Sequence, residues 1–385
     1  MRVLILALVT LWPLISDSSV FARDDSVERE IARGIELLYQ SETDEAEEVF
    51  RGVQKDRPND PSGHFYMAMV SWSRLVTGFW SQKMEDEYLE RIERTITVAK
   101  EIVQSGKADD DTYLYLGGAL GFKGRFYLME HRWLSSFSLA VDAVDALKTC
   151  LAMNPGNKDV LLGLGIFDYY TARLSGFLKF VTFLLVHKGN REEGIRKLFQ
   201  AAGEAPLSSI EAKSVLLHIF LFVEGDYRRA MPLARELSGR FQKSRIYKYL
   251  EGVAYARLGM QQELRAVLAD MRAKAGKESA RSLGNQWLRR SFYLEATWAL
   301  LKGEYEAARQ KLDLVLAIPD PEEDPYMIAW PLLKKGISYD LESRREEAIE
   351  LYTRVMKMEN GAGAQFLSEK FIRKPARPSD PLLGY

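Results

Sequence analysis

From residue 27 onward, apolar and polar positions recur with the period of an α-helix, and no run carries the two-residue alternation of a half-buried strand. Small residues recur as well. Gly34 is followed by Ala46, Phe50, Val53 and Pro58 at offsets of 12, 16, 19 and 24. The same offsets carry Gly336 to Ala348, Tyr352, Val355 and Asn360 near the other end. A small residue that returns at fixed helical offsets marks a close crossing of two helices, and such self-similarity is the mark of stacked helical hairpins. The pattern predicts an all-α chain folded as a right-handed α-solenoid of about eight hairpins.

The spacing divides the chain into repeats near 27–60, 61–110, 111–157, 158–208, 211–244, 245–278, 289–322 and 329–362, within a solenoid over 23–362. The first pairs Gly34 with Ala46, the seventh Ala296 with Ala308, and the eighth Gly336 with Ala348. The fifth has Ala230 but carries bulky His218 where a small residue belongs, and the sixth has Gly252 but Leu264 in place of alanine. These positions resemble the tetratricopeptide family. Its 34-residue hairpin meets at small residues eight and twenty, wedges a large apolar residue at 24 and often stops at proline 32. The resemblance implies that helix A of each hairpin lines a concave groove.

Repeats two to four are stretched. Gly118 waits for Ala143, Leu147, Cys150 and Pro155, about 13 residues too many, and Gly165 waits for Gly194, Leu198, Ala201 and Pro206, about 17 too many. Longer helices, or an extra short helix, account for the excess. Gly78-Phe79-Trp80, Gly124-Arg125-Phe126-Tyr127 and Gly176-Phe177-Leu178 lie in the stretched regions, and their aromatic content predicts packed segments. Beyond Gly361 a short helix around Gln365–Phe371 is expected as a cap. Pro375, Pro378 and Pro381 predict an extended end to the 363–385 cap and tail.

The first 22 residues read as a secretory signal peptide: Arg2, an apolar run from Val3 to Ile15, and Val20-Phe21-Ala22 before a cut at Arg23. No cysteine stands near the cut, so a lipoprotein anchor is not expected. The expected destination is a bacterial periplasm. Cys150 is the single cysteine, so helix packing rather than disulfides must stabilise the chain. With 53 basic and 54 acidic residues, charge balance offers no support for nucleic-acid binding.

Catalytic chemistry is not legible, and no enzyme, cofactor or metal site is expected. His64, His131, His187 and His218 have no paired spacing, and Glu130, His131 and Asp168 do not form a recognisable motif. Gly163-Leu164-Gly165 lacks the strand and third glycine of a dinucleotide loop. Asp109-Asp110-Asp111 lacks the later ligands of a calcium loop and suits a helix N-terminus.

A protein or peptide partner is the expected ligand. By the family resemblance, the groove positions fall on Tyr115, Phe122, Leu162, Ile166, Tyr169, Val215, Ile219, Phe222, Tyr249 and Tyr293. That set favours an apolar or amphipathic segment. Ile31 and Ile35 stand at two places where chaperone-binding relatives carry their clamp for carboxylates. The groove is expected to be open to the partner or filled by the chain's own inserts. Leu174–Val186 is almost wholly apolar, with Phe177, Phe180 and Phe183. At 13 residues it is too short to span a bilayer, and it reads as a core helix, a groove plug or a membrane-surface contact. This stretch and Lys188–Gly194 loosely resemble a eukaryotic tetratricopeptide family linked to inclusion-body clearance, which implies an insert at this place in the fold. Any function beyond generic scaffolding is expected in the stretched repeats.

Overall fold

The computed structural model describes residues 25–77, 81–130, 132–173, 189–318, 326–359, 361 and 363–385. Residues 1–24, Gly78-Phe79-Trp80, His131, the apolar run Leu174–Val186 with Phe177, Phe180 and Phe183, and His187 lie outside them.

The described residues are helical, with no strand among them. In order the helices are α1 (Asp25–Tyr39), α2 (Thr43–Asp56), α3 (Pro61–Thr77), α4 (Gln82–Gln104), α5 (Asp110–Met129) and α6 (Trp133–Met153). Then come α7 (Val160–Thr171), α8 (Arg191–Glu204), α9 (Ser209–His218), α10 (Tyr227–Arg240), α11 (Arg245–Leu258) and α12 (Gln261–Lys277). The last are α13 (Arg281–Leu301), α14 (Tyr305–Ala317), α15 (Tyr326–Leu341), α16 (Arg345–Met356) and α17 (Ala364–Arg373). Each helix packs mainly on its neighbours in sequence, as stacked hairpins require. The chain is a TPR-like α-solenoid.

The small residues sit at the crossings. A Cβ on Gly336 would lie 2.6 Å from the Tyr352 ring, and one on Gly34 would enter the Phe50 ring. Ala46, Ala308 and Ala348 are fully buried opposite them. Close approach lets the wedge residues Phe50, Leu312 and Tyr352 bury completely, each worth roughly 2 kcal/mol in removed apolar surface.

The stretched third repeat consists of long helices. α5 and α6 run 20 and 21 residues, and Gly124-Arg125-Phe126-Tyr127 lies inside α5. Phe126 is buried, 5.3 Å from the Tyr88 ring. In the fifth repeat, α9 passes directly after His218 into a π-helical turn, Ile219–Glu224, closed by Gly225 at φ 66°. The wider turn falls at the position where the small residue is missing.

Polar side chains terminate the helices. The Asp109 carboxylate accepts from the Thr112 amide at 2.8 Å, making a capping box for α5. Asn190 and Asp226 cap α8 and α10 by accepting from the Glu193 and Arg229 amides. Asp110 Oδ2 accepts from the Asn154 and Asn157 side-chain amides at 2.8 and 3.2 Å. The acidic triplet therefore anchors a helix start and the following hairpin.

The superhelix closes on itself. Tyr39 Oη, at the end of α1, donates to Glu211 Oε2 at 2.8 Å, and Gln40 Nε2 donates to the Arg240 carbonyl at 2.9 Å. Arg240 pairs with Glu36 at 2.6 Å, and the Tyr39 ring lies 5.5 Å from Phe241. The first hairpin thereby meets the fifth and sixth. On the other side Trp133, opening α6, meets Phe366 of α17 edge-on at 4.6 Å.

The C-terminal segment is not extended. α17 spans Ala364–Arg373, and Pro381–Gly384 forms a 3₁₀ turn. Proline lacks an amide but its fixed φ suits the first position of a helical turn, so Pro381 starts one here. Burial of Leu383, 1% exposed, explains why the segment folds against the body.

Candidate functional site

The expected groove residues separate into three groups. Tyr115 and Phe122 join an aromatic cluster near the first hairpins, with Phe65 5.6 Å from the Tyr115 ring and 6.0 Å from the Phe122 ring. Tyr115 is buried and Phe122 partly so. Leu162, Ile166 and Val215 are partly buried against the core, while Ile219 is fully buried in the π turn. Tyr169 is buried and donates to Glu224 Oε1 at 2.5 Å. Glu224 also accepts from Arg191 Nε at 3.0 Å and Arg173 Nη1 at 3.3 Å. The Arg191 hydrogen bond is the main cause that pushes this carboxyl down to about 2, with the Tyr169 hydroxyl assisting against the cost of burial.

Phe222, Tyr249 and Tyr293 form the third group, and they converge on the chain's own tail. The tail crosses the helix-A side of repeats five to eight. Arg257 Nη2 donates to the Asp380 carbonyl at 2.9 Å. Tyr249 Oη donates to the Gly384 carbonyl at 2.8 Å. The Tyr385 main-chain oxygen accepts from Tyr293 Oη at 2.9 Å and Lys334 Nζ at 2.7 Å, with Tyr249 Oη 3.2 Å away. The Tyr385 ring lies between Phe222 at 4.8 Å and Trp330 at 4.4 Å.

Lys334 is the unusual residue of this site. It sits in the middle of α15 and is 2% exposed. Its ammonium donates to Thr297 Oγ1 at 2.6 Å and stands 4.1 Å from the Tyr293 ring centre. Burial pushes it well below the usual lysine range, and the Arg257 charge pushes the same way. No Asp or Glu carboxylate among the described residues pairs with it. The cation is held by a hydroxyl, an aromatic face and the Tyr385 oxygen.

One expectation is thus revised. Among the described residues, the groove of repeats five to eight is filled by the tail and not by an insert. The family resemblance placed Phe222, Tyr249 and Tyr293 on this face; Lys334, Thr297, Trp330 and Arg257 were missed. For Lys334 a signal was available: it ends the apolar run Tyr326–Leu333 within helix A.

Among the described residues, no group of three or more His, Cys, Asp or Glu is placed to hold a metal ion. His64 is spent on the Pro58 carbonyl and Gln54, at 2.8 and 2.7 Å, and His218 on the Ser214 carbonyl at 2.8 Å. Cys150 is buried. No described helix is long and apolar enough to cross a membrane.

Fold and site together define a TPR-like helical-repeat protein with an occupied helix-A face. No family model matches the chain, and no curated protein matches it. Solved structures similar to it are helical-repeat proteins. A tetratricopeptide repeat protein from Parabacteroides merdae is 11% identical with a TM-score of 0.34, over 84% of this chain and 99% of that one. A human IFIT1 dimer with PPP-AAAA is 12% identical with a TM-score of 0.46, over 91% of this chain and 87% of that one. The P58(IPK) TPR domain is 15% identical with a TM-score of 0.22, over 90% of this chain and 89% of that one.

Proposed function

We propose that this chain is an exported, non-enzymatic scaffold that binds a protein partner along its helix-A face. The observation that carries the reading is that side chains from the helix-A side of repeats five to eight, Phe222, Tyr249, Tyr293 and Trp330, already hold a peptide segment by converging on its last two residues. Stacked repeats fix those side chains before a partner arrives, which limits the ordering cost of binding. Apolar pockets with few polar anchors suit an amphipathic protein segment. The balanced charge speaks for a protein partner over nucleic acid. The signal-like pattern of residues 1–22 supports export to a periplasm in this reading.

Site-specific photo-crosslinking tests it. A benzophenone side chain at Leu162 or Val215, partly buried on A helices, is expected to trap a discrete protein adduct in the native envelope. The same group at Glu350, exposed on helix B of the last repeat, is expected to trap none. Equal adducts from both faces contradict the proposal.

A further inference from the structure

The tail's seat has the chemistry of a ligand site. Tyr249, Tyr293, Thr297 and Lys334 are all buried, and they bring donors and a cation to one point. Tyr293 and Lys334 donate to a single oxygen, that of Tyr385, and the one Tyr249 proton goes to the neighbouring Gly384 carbonyl. An ammonium that donates to the Tyr385 oxygen makes a charge-assisted bond, which a carboxylate matches better than a neutral amide oxygen. A carboxylate there would also compensate the buried Lys334 charge, which no Asp or Glu among the described residues does. Beside this point, Phe222 and Trp330 clasp an aromatic ring. Leu383 fills the apolar floor, and Arg257 holds the main chain one turn earlier at Asp380.

We propose that this cage is a peptide-binding site which Pro381–Tyr385 occupies in cis, and that in trans it takes a peptide of the same chemistry: a leucine, a glycine and an aromatic residue whose adjoining carboxylate meets Lys334. The inference rests on the helix-A face being the partner surface and adds what that surface recognises and what guards it. A tethered segment competes at a high effective concentration, so a partner must displace the tail before it docks.

The test uses the full chain and a fluorescent peptide of the sequence Ser379–Tyr385, made once with a free carboxylate and once amidated. In a chain carrying Leu383→Asp and Tyr385→Ala, the acid peptide is expected to bind at least about tenfold more tightly than to the wild-type chain. Adding Lys334→Met, or amidating the peptide, is expected to weaken binding about tenfold or more. Gain of binding on disrupting the tail is a result that a damaged fold does not give. The wild-type chain supplies a second readout: excess acid peptide should speed hydrogen exchange of the Leu382–Tyr385 amides. Loss of helical structure in the tail variant, absence of peptide binding to it, equal binding of acid and amide, or a tail unmoved by excess peptide each overturn the proposal. Photo-adducts at Leu162 or Val215 without peptide binding would defeat the cage alone and leave the scaffold reading standing.

Discussion

Gly194→Val is expected to destabilise the protein by about 3 kcal/mol or more, read as a fall in the urea midpoint. A Cβ at this position would lie 2.6 Å from the Tyr169 amide nitrogen, 2.8 Å from the Gly165 carbonyl oxygen and 2.9 Å from Tyr169 Cα. All three are backbone atoms, so no rotamer change relieves the clash. α7 and α8 would have to separate, and the buried Leu198 and Ala201 would lose their packing. Gly203 on the same helix is the control. It is exposed, and a Cβ there meets nothing within 4 Å. Gly203→Ala is expected to be neutral or to stabilise by up to about 1 kcal/mol through helix propensity.

Asp340→Ala is expected to cost about 3–5 kcal/mol, visible as a lowered Tm. The Asp340 side chain is fully buried and accepts four hydrogen bonds from three groups. Arg345 Nη1 donates to both carboxylate oxygens at 2.8 and 3.0 Å, the Tyr352 hydroxyl donates at 2.8 Å, and the Ala376 amide at 3.1 Å. Removing it orphans a buried hydroxyl and a buried amide and leaves Arg345 without its counter-charge. Arg345 also donates to the Phe371 and Ile372 carbonyls at 2.8 and 2.6 Å. Asp340 therefore ties the last full hairpin to α17 and to the start of the tail. Asp340→Asn keeps the volume but loses the charge, and is expected to fall between the two.

The hairpins were legible because their cause is local. Gly34 with Phe50 and Gly336 with Tyr352 are contacts between helices joined by one short turn, so a fixed offset records them. The same holds for Gly165 and Gly194 even though their hairpin is stretched, since helix contact demands small residues whatever the connection length. The candidate site was half legible. Tyr249 and Tyr293 fall on the helix-A face by position alone. Their hydroxyls, however, reach residues 384 and 385, more than ninety positions away, and no periodicity encodes that pairing. The same distance hid the contact of Tyr39 with Glu211. Proline content suggested an extended end, whereas burial of Leu383 and the Tyr385 ring decides its shape. Lys334 was readable only as a charge out of place in an apolar helix, and its meaning needed the tail beside it.

The central claim is that repeats five to eight hold the chain's own tail through Lys334. Hydrogen exchange at the Leu382–Tyr385 amides tests it most directly. The account predicts protection in the wild-type chain and exchange at least about tenfold faster in Lys334→Met, with the core amides of α11 and α13 unchanged. Wild-type tail amides that exchange as fast as an unstructured peptide would contradict it.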